Sequence, residues 1–170
     1  MNASLLQRDP RRLSESASVS EALLRCSVCS SRAPWVDGVA GHQHLQMVQA
    51  YRRTGGLLST DEVVPLLRRR TAQPISVLAR WIVARNVVSF VWQSQTLLPL
   101  FQFDLSDMSL RCGTAAVVGE LSGAFDDWDL ATWFARPNSW LRDAAPVDVI
   151  DTDQPAVLQA ARADRYIVRG

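Results

Sequence analysis

The feature that most limits the fold is a change of period in the middle of the chain. Residues 87–92, Val-Val-Ser-Phe-Val-Trp, and residues 96–103, Thr-Leu-Leu-Pro-Leu-Phe-Gln-Phe, are β-rich runs separated by Gln93, Ser94 and Gln95. That pattern is a β-hairpin, and Pro99, with no N–H to give a ladder, marks its second strand as an edge. On both sides of it apolar residues recur at helical spacing. Leu45, Val48, Ala50 and Tyr51 predict a helix over residues 42–54, stopped by Gly55 and Gly56. Ser59 and Glu62 form a capping box ahead of Val63, Val64, Leu66 and Leu67. Pro65 falls beyond the first turn, so it kinks this helix or moves its start. Arg68, Arg69 and Arg70 close it, where cations suit the helix dipole. Pro74 opens a third helix over residues 74–85, striped by Ile75, Leu78 and Ile82.

After Asp104 the helical spacing returns. Residues 114–121 align Val117, Val118 and Leu121; acids at 126, 127 and 129 open a helix to Arg136 whose stripe is Leu130, Trp133 and Phe134. Pro137 and Asn138 end it, residues 146–150 make one turn, and Pro155 opens a last helix through Ala163, leaving residues 165–170 as a short tail. The expected fold is therefore mainly α with a small β-hairpin: a helix-turn-helix-like module with a wing, then a small helical bundle. The expected divisions are a flexible arm at 1–40, the winged module at 41–104 and the bundle with its tail at 105–170. The arm has eight Ser and few large apolar residues.

Apolar residues make up 48% of the 170 positions and charged residues 21%, which excludes a wholly disordered chain. No apolar run is long enough for a membrane helix, and the N-terminus lacks the apolar core of a secretory signal. Three Cys cannot all pair internally, which favours cytoplasmic thiols. The net charge of +1 conceals an uneven distribution. Residues 1–58 carry +3, residues 59–104 carry +2 and residues 105–170 carry −4, and every cation is Arg. Two modules with different partners account for such asymmetry.

The C-terminal third resembles the toxin-binding domain of the Xre/MbcA/ParS antitoxins of bacterial toxin–antitoxin systems. The resemblance rests on Trp128, Leu130, Trp133 and Phe134, on residues 137–141 (Pro-Asn-Ser-Trp-Leu), on residues 145–150 (Ala-Pro-Val-Asp-Val-Ile), and on Val157 with Ala160, Ala161 and Arg162. It covers roughly residues 114–170. Pro137-Asn138 reverses the family's commoner dipeptide, and Arg142, Asp143, Ala144 and Ala145 stand where glycines are frequent. The middle of the chain is similar to the winged helix-turn-helix joined to this domain in some relatives, with residues 57–67 as its first helix, 74–85 as its second and 98–104 closing the wing. The resemblance implies a non-enzymatic antitoxin, without a cofactor, that occludes the active site of a cognate toxin, often a RES-type enzyme that consumes NAD. It also implies dimerisation and repression of its own operon.

Site candidates follow from both readings. Trp133 and Phe134 are core by their spacing, while Trp140, beside a turn, has the position of an interface anchor. The toxin-binding set is Asn138, Trp140, Arg162, Arg165, Tyr166, Arg169 and Gly170, because Arg and Tyr beside apolar residues is the composition of a binding anchor. The DNA-binding set is Arg68, Arg69, Arg70, Ser76, Arg80, Arg85, Gln93 and Gln95: clustered cations for phosphates, a reader helix and a wing. The 74–85 helix is apolar on most sides, which instead suits a core or dimer element. Cys26 and Cys29 with His42 and His44 are similar to half a zinc finger, but a one-residue gap turns the two His rings apart on a helix. Cys112 reads as a half-buried thiol. The acids at 126, 127, 129, 143, 148, 151 and 153 are explained by helix starts and solvation, with no His among them to complete a catalytic set. The partners expected are a toxin, a second copy of the chain and operator DNA, with no membrane. A DNA-binding regulator without a toxin, or an adaptor that keeps these modules, is the alternative.

Overall fold

The computed structural model describes residues 37–170. Helix α1 spans Asp37–Tyr51, so residues 37–40, expected in the arm, are helical. One turn of 3₁₀ helix, Arg52–Thr54, continues it to Gly55 at φ 103°. A Cβ on Gly55 would lie 2.9 Å from Leu100 Cβ, so both backbone and packing demand glycine there. Strand β1, Leu57–Ser59, follows immediately. Helix α2, Thr60–Leu67, starts at the Ser59 cap, where the Glu62 carboxylate accepts hydrogen bonds from Ser59 N–H and Oγ, each at 2.8 Å. These bonds, the backbone one first, hold Glu62 below the usual carboxylate range. Pro65 sits within α2, and the helix runs through it to Leu67. Helix α3 is Pro74–Val83, with Pro74 in its first turn.

Strands β2 (Phe90–Trp92) and β3 (Gln95–Pro99) pair antiparallel, Trp92 opposite Gln95. The intervening Gln93 and Ser94 both have positive φ, 46° and 65°, the two-residue hairpin geometry that matches strand twist. The sheet order is β1-β3-β2, so β3 is central and Pro99 does not mark an edge. Pro99 is the last residue of its strand, opposite Leu57, where the ladder ends. The expected helix over 57–67 is likewise corrected: its first three residues are β1, too short to show a period of their own. The order α1-β1-α2-α3-β2-β3 is that of a winged helix.

The second strand also stops earlier than its composition suggests. Leu100–Gln102 is a 3₁₀ turn, and the buried Gln102 amide acts as a substitute strand partner. Its Oε1 accepts from Val88 N–H at 2.7 Å, while its Nε2 donates to the carbonyls of Val88 and Pro99, each at 2.9 Å.

Four helices complete the chain: α4 (Cys112–Leu121), α5 (Asp127–Ala135), α6 (Pro146–Val149) and α7 (Gln154–Arg169). Asp126 caps α5 by accepting from Asp129 N–H at 2.7 Å, and Asp153 caps α7 by accepting from Ala156 N–H at 3.1 Å. Helix α7 continues six residues past Ala163, so the expected tail is the last part of a helix. Cys112 is exposed rather than half-buried. Among the described residues, no helix is long and apolar enough to cross a membrane.

The described residues belong to one compact unit, which holds two clusters of buried side chains. The smaller joins Val63, Leu67, Leu78, Val87, Leu98, Leu100, Phe103 and Met108 under the winged sheet. The larger joins Met47 and Tyr51 of α1 to Phe90 and Phe101, and then to Val117, Leu130, Phe134 and Val157 of the later helices. Residues on both sides of position 104 therefore share one core. Tyr51 is fully buried, donates its OH to Ala131 O, and burial pushes its pKa well up. Trp128 of α5 donates to Gln43 of α1 at 3.0 Å.

Candidate functional site

The site is built around one carboxylate on α7. That helix lays Val157, Ala160 and Ala161 into the core and packs along α4. Asp164 follows on the same stripe, one turn beyond Ala160 and Ala161. Three donors converge on it. Trp133 Nε1 and Asn138 Nδ2 each donate to Oδ2 at 2.7 Å, and Trp140 Nε1 donates to Oδ1 at 3.1 Å. Every partner is a donor, and the carboxylate accepts at both of its oxygens.

Asn138 links this hub to the turn after α5. Its Oδ1 accepts from Trp140 N–H at 2.9 Å, and its backbone pairs with Ala144 through Asn138 N–H to Ala144 O at 3.0 Å. The loop closes through Arg142 and Asp143, both left-handed, with φ 57° and 62°. Two non-glycine residues in that region carry backbone strain. Trp140 is thus held at its indole nitrogen and its backbone, yet it stays 60% exposed. A cavity of about 330 Å³ beside it is lined by Trp133, Asn138, Asp164, Arg136 and Phe125, among others.

The end of α7 divides into two faces. Arg162 Nε reaches Glu120 Oε1 of α4 at 3.0 Å, Arg165 takes the other oxygen of Glu120, and Arg169 Nη2 donates to Gly123 O at 3.2 Å. The hydrogen bond from Arg162, first among the causes, holds Glu120 below the usual carboxylate range. Tyr166, Ile167 and Val168 remain open at 79%, 65% and 53% exposure. Ile167 and Val168 lie three and four residues after Asp164, on the face that meets Trp140. Of the residues singled out for partner binding, Asn138 is buried in the latch and Trp140 and Tyr166 are exposed. Three arginines are engaged inside the chain, and Gly170 ends the helix.

The other set spreads over the winged part. Arg68 and Arg69 are exposed at the end of α2, while Arg70 pairs with Asp107 at 3.1 Å. Ser76 and Arg80 are exposed on α3, and Gln93 and Gln95 at the hairpin turn. Arg85 is withdrawn from this surface: it sits at φ 52° and its guanidinium reaches Asp127 at 3.0 Å, Phe125 O at 2.6 Å and Ser122 O. Helix α3 is not buried on most sides as its composition suggests. Leu78 is its fully buried residue, and Ile75 and Val83 face outward.

Cys26 and Cys29 lie outside the described residues. His44 stacks on Trp92 with ring centroids 4.3 Å apart, its Nδ1 is buried without a hydrogen bond, and burial lowers its pKa. His42 is hydrogen-bonded to Gln46. Among the described residues no group of three or more potential ligands gathers to hold a metal ion. Sequence reasoning missed Asp164, Glu120 and Gln102. The one available signal was Asp164 at the seventh position after Val157, a carboxylate continuing an apolar stripe. No family model, curated protein or solved structure matches the chain.

Proposed function

We propose that this protein is a non-enzymatic, antitoxin-like binder whose C-terminal helices dock on a toxin enzyme and cover its active site, the role implied by the resemblance of residues 114–170. The observation that carries the reading is the exposed set Trp140, Ile167 and Val168 beside a latch that fixes Trp140 in place, with Tyr166 exposed on the neighbouring face of the same helix end. A pre-positioned aromatic anchor beside aliphatic side chains suits a protein interface, because little conformational freedom is lost on binding. The covering element in this reading is a helix end anchored through Arg162 and Arg165, in place of a loose tail.

Co-expression with a toxic enzyme encoded beside this gene tests it. The full chain restores growth, and a chain lacking residues 166–170 fails to do so. Undiminished rescue by the shortened chain overturns occlusion by the helix end.

The winged-helix order favours a second reading, binding to operator DNA, in the same molecule. Arg68, Arg69, Ser76 and Arg80 with the Gln93–Gln95 turn form its contact set, and Arg85 leaves it. Affinity for DNA from the gene's own promoter falls with added salt and with Arg80→Ala. Absence of binding at low salt removes this reading.

A further inference from the structure

Five of the described arginines are held in ion pairs and the rest are not. Arg70, Arg85, Arg111, Arg162 and Arg165 each meet a carboxylate. Arg53 and Arg136 are among those that meet none, and these two line one groove of about 540 Å³. Arg53 follows α1 and Arg136 follows α5, each at a helix C-terminus, where the dipole favours a cation. That explains each cation by itself but not two of them facing the same hollow, where they repel. Gln46 and Gln49 bring side-chain amides to the groove, Pro137 gives it an apolar wall, and Asp148 lines it without an ion pair. Gln46, Gln49 and Arg53 share one face of α1 and the turn that continues it. Arg136 and Pro137 also line the cavity beside Asp164, so the two hollows share a wall.

We propose that this groove binds an acidic peptide segment. Its carboxylates are taken by Arg53 and Arg136, and its main-chain N–H and C=O groups by the two glutamine amides. A guanidinium fork matches a carboxylate in geometry and charge. Asp148 discriminates against a phosphate, whose higher charge it repels more strongly. A nucleic-acid backbone would need a longer run of cations than two. If the antitoxin-like reading holds, the segment belongs to the same partner and crosses from the Trp140 surface over Pro137; the chemistry of the groove does not depend on that reading.

The test uses the full chain at low salt and a fluorescein-labelled hexaglutamate peptide as probe, with affinity read by anisotropy. The double variant Arg53→Gln/Arg136→Gln weakens binding by about tenfold or more, the scale of losing charge-assisted hydrogen bonds. Asp148→Asn tightens it severalfold. Arg52→Gln, which removes the neighbouring exposed cation outside the groove, leaves affinity unchanged. Inorganic phosphate at the same concentration does not displace the peptide. All substituted positions are exposed, and a melting temperature equal to that of the parent chain certifies the fold of each variant. If the double variant fails that check, the two single variants carry the same expectation. Unchanged affinity in the arginine variants, loss of affinity in Arg52→Gln alone, or equal displacement by phosphate overturns the proposal. None of these readouts involves toxin neutralisation, so the groove and the antitoxin-like role fail separately.

Discussion

Trp140 and Asp164, twenty-four residues apart, are joined by an indole N–H to carboxylate hydrogen bond of 3.1 Å at the surface of the molecule. The bond ties the turn after α5 to the last helix and fixes the direction of an exposed aromatic ring. Because the same carboxylate also accepts from Trp133 and Asn138, its removal leaves three donors to find water or remain unmet. Asp164→Ala is expected to destabilise the fold by about 1–3 kcal/mol, the usual loss when a partly buried acceptor is deleted. Asp164→Asn recovers only part, since its NH₂ group faces donors. Urea unfolding measures the loss, and a red shift of tryptophan emission reports release of the rings. Parent-like stability in Asp164→Ala would refute the latch.

Glu120 supplies the second tie to α7, through Arg162 and Arg165. Its folded pKa lies below the ordinary glutamate value, chiefly through the hydrogen bond from Arg162. A lowered pKa means that this contribution is complete above the unfolded-state pKa and disappears as pH falls through the folded one. Both arginines are well exposed, so solvent screening limits the gain at neutral pH to about 0.5–1 kcal/mol. Glu120→Gln should therefore be less stable at pH 7 by that amount and converge on the parent chain under acid. Thermal melts at both pH values decide it; an equal gap at each would show that the pairs contribute nothing ionic.

The parts of this fold that were legible in the sequence are those set by near neighbours. Ser59 with Glu62, Gly55 after Tyr51, Pro74 and Asp126 act over three or four residues, and each stands where its local chemistry places it. The hairpin was legible for the same reason, since two short β-rich runs flank a tight turn. What escaped was set across distance. Leu57–Ser59 is a strand only because β3 lies beside it. Asp164 acquires its partners from positions 133, 138 and 140, and no spacing along α7 names them. The turn from Tyr166 to Val168 is tied beside α4 by Glu120, which holds Arg162 and Arg165, and by Gly123 O just past that helix, which holds Arg169. The shared core of α1 and α5 is equally non-local, with Tyr51 and Ala131 eighty residues apart.

Gln102 gives the sharpest case of a polar residue made necessary by the fold. Its amide satisfies both backbone groups of Val88 and the carbonyl of Pro99 inside the core. Gln102→Leu keeps approximate size but removes the partner of the Val88 N–H and C=O and one donor to the Pro99 carbonyl, with the two Val88 groups the more costly loss. The expected loss is about 2–4 kcal/mol, from two orphaned groups at roughly 1–3 kcal/mol each with partial relief by rearrangement. Chemical denaturation measures it directly. A neutral or stabilising result would mean that water enters and takes over the role of the amide.

Arg142 offers a change in the opposite direction. Its backbone is left-handed, φ 57° and ψ 42°, at the point where the loop holding Asn138 and Trp140 turns back. A side chain there costs about 1–2 kcal/mol relative to the right-handed region, a penalty glycine escapes. Glycine loses more freedom on folding, about 0.5–1 kcal/mol, which offsets part of the gain. The guanidinium is exposed, so its removal sacrifices little packing. Arg142→Gly is therefore expected to stabilise the chain by about 0.5–1 kcal/mol, read as a rise in melting temperature with the circular dichroism spectrum unchanged. A fall in melting temperature would place Arg142 among the groups that hold the loop and would contradict the strain assigned to it.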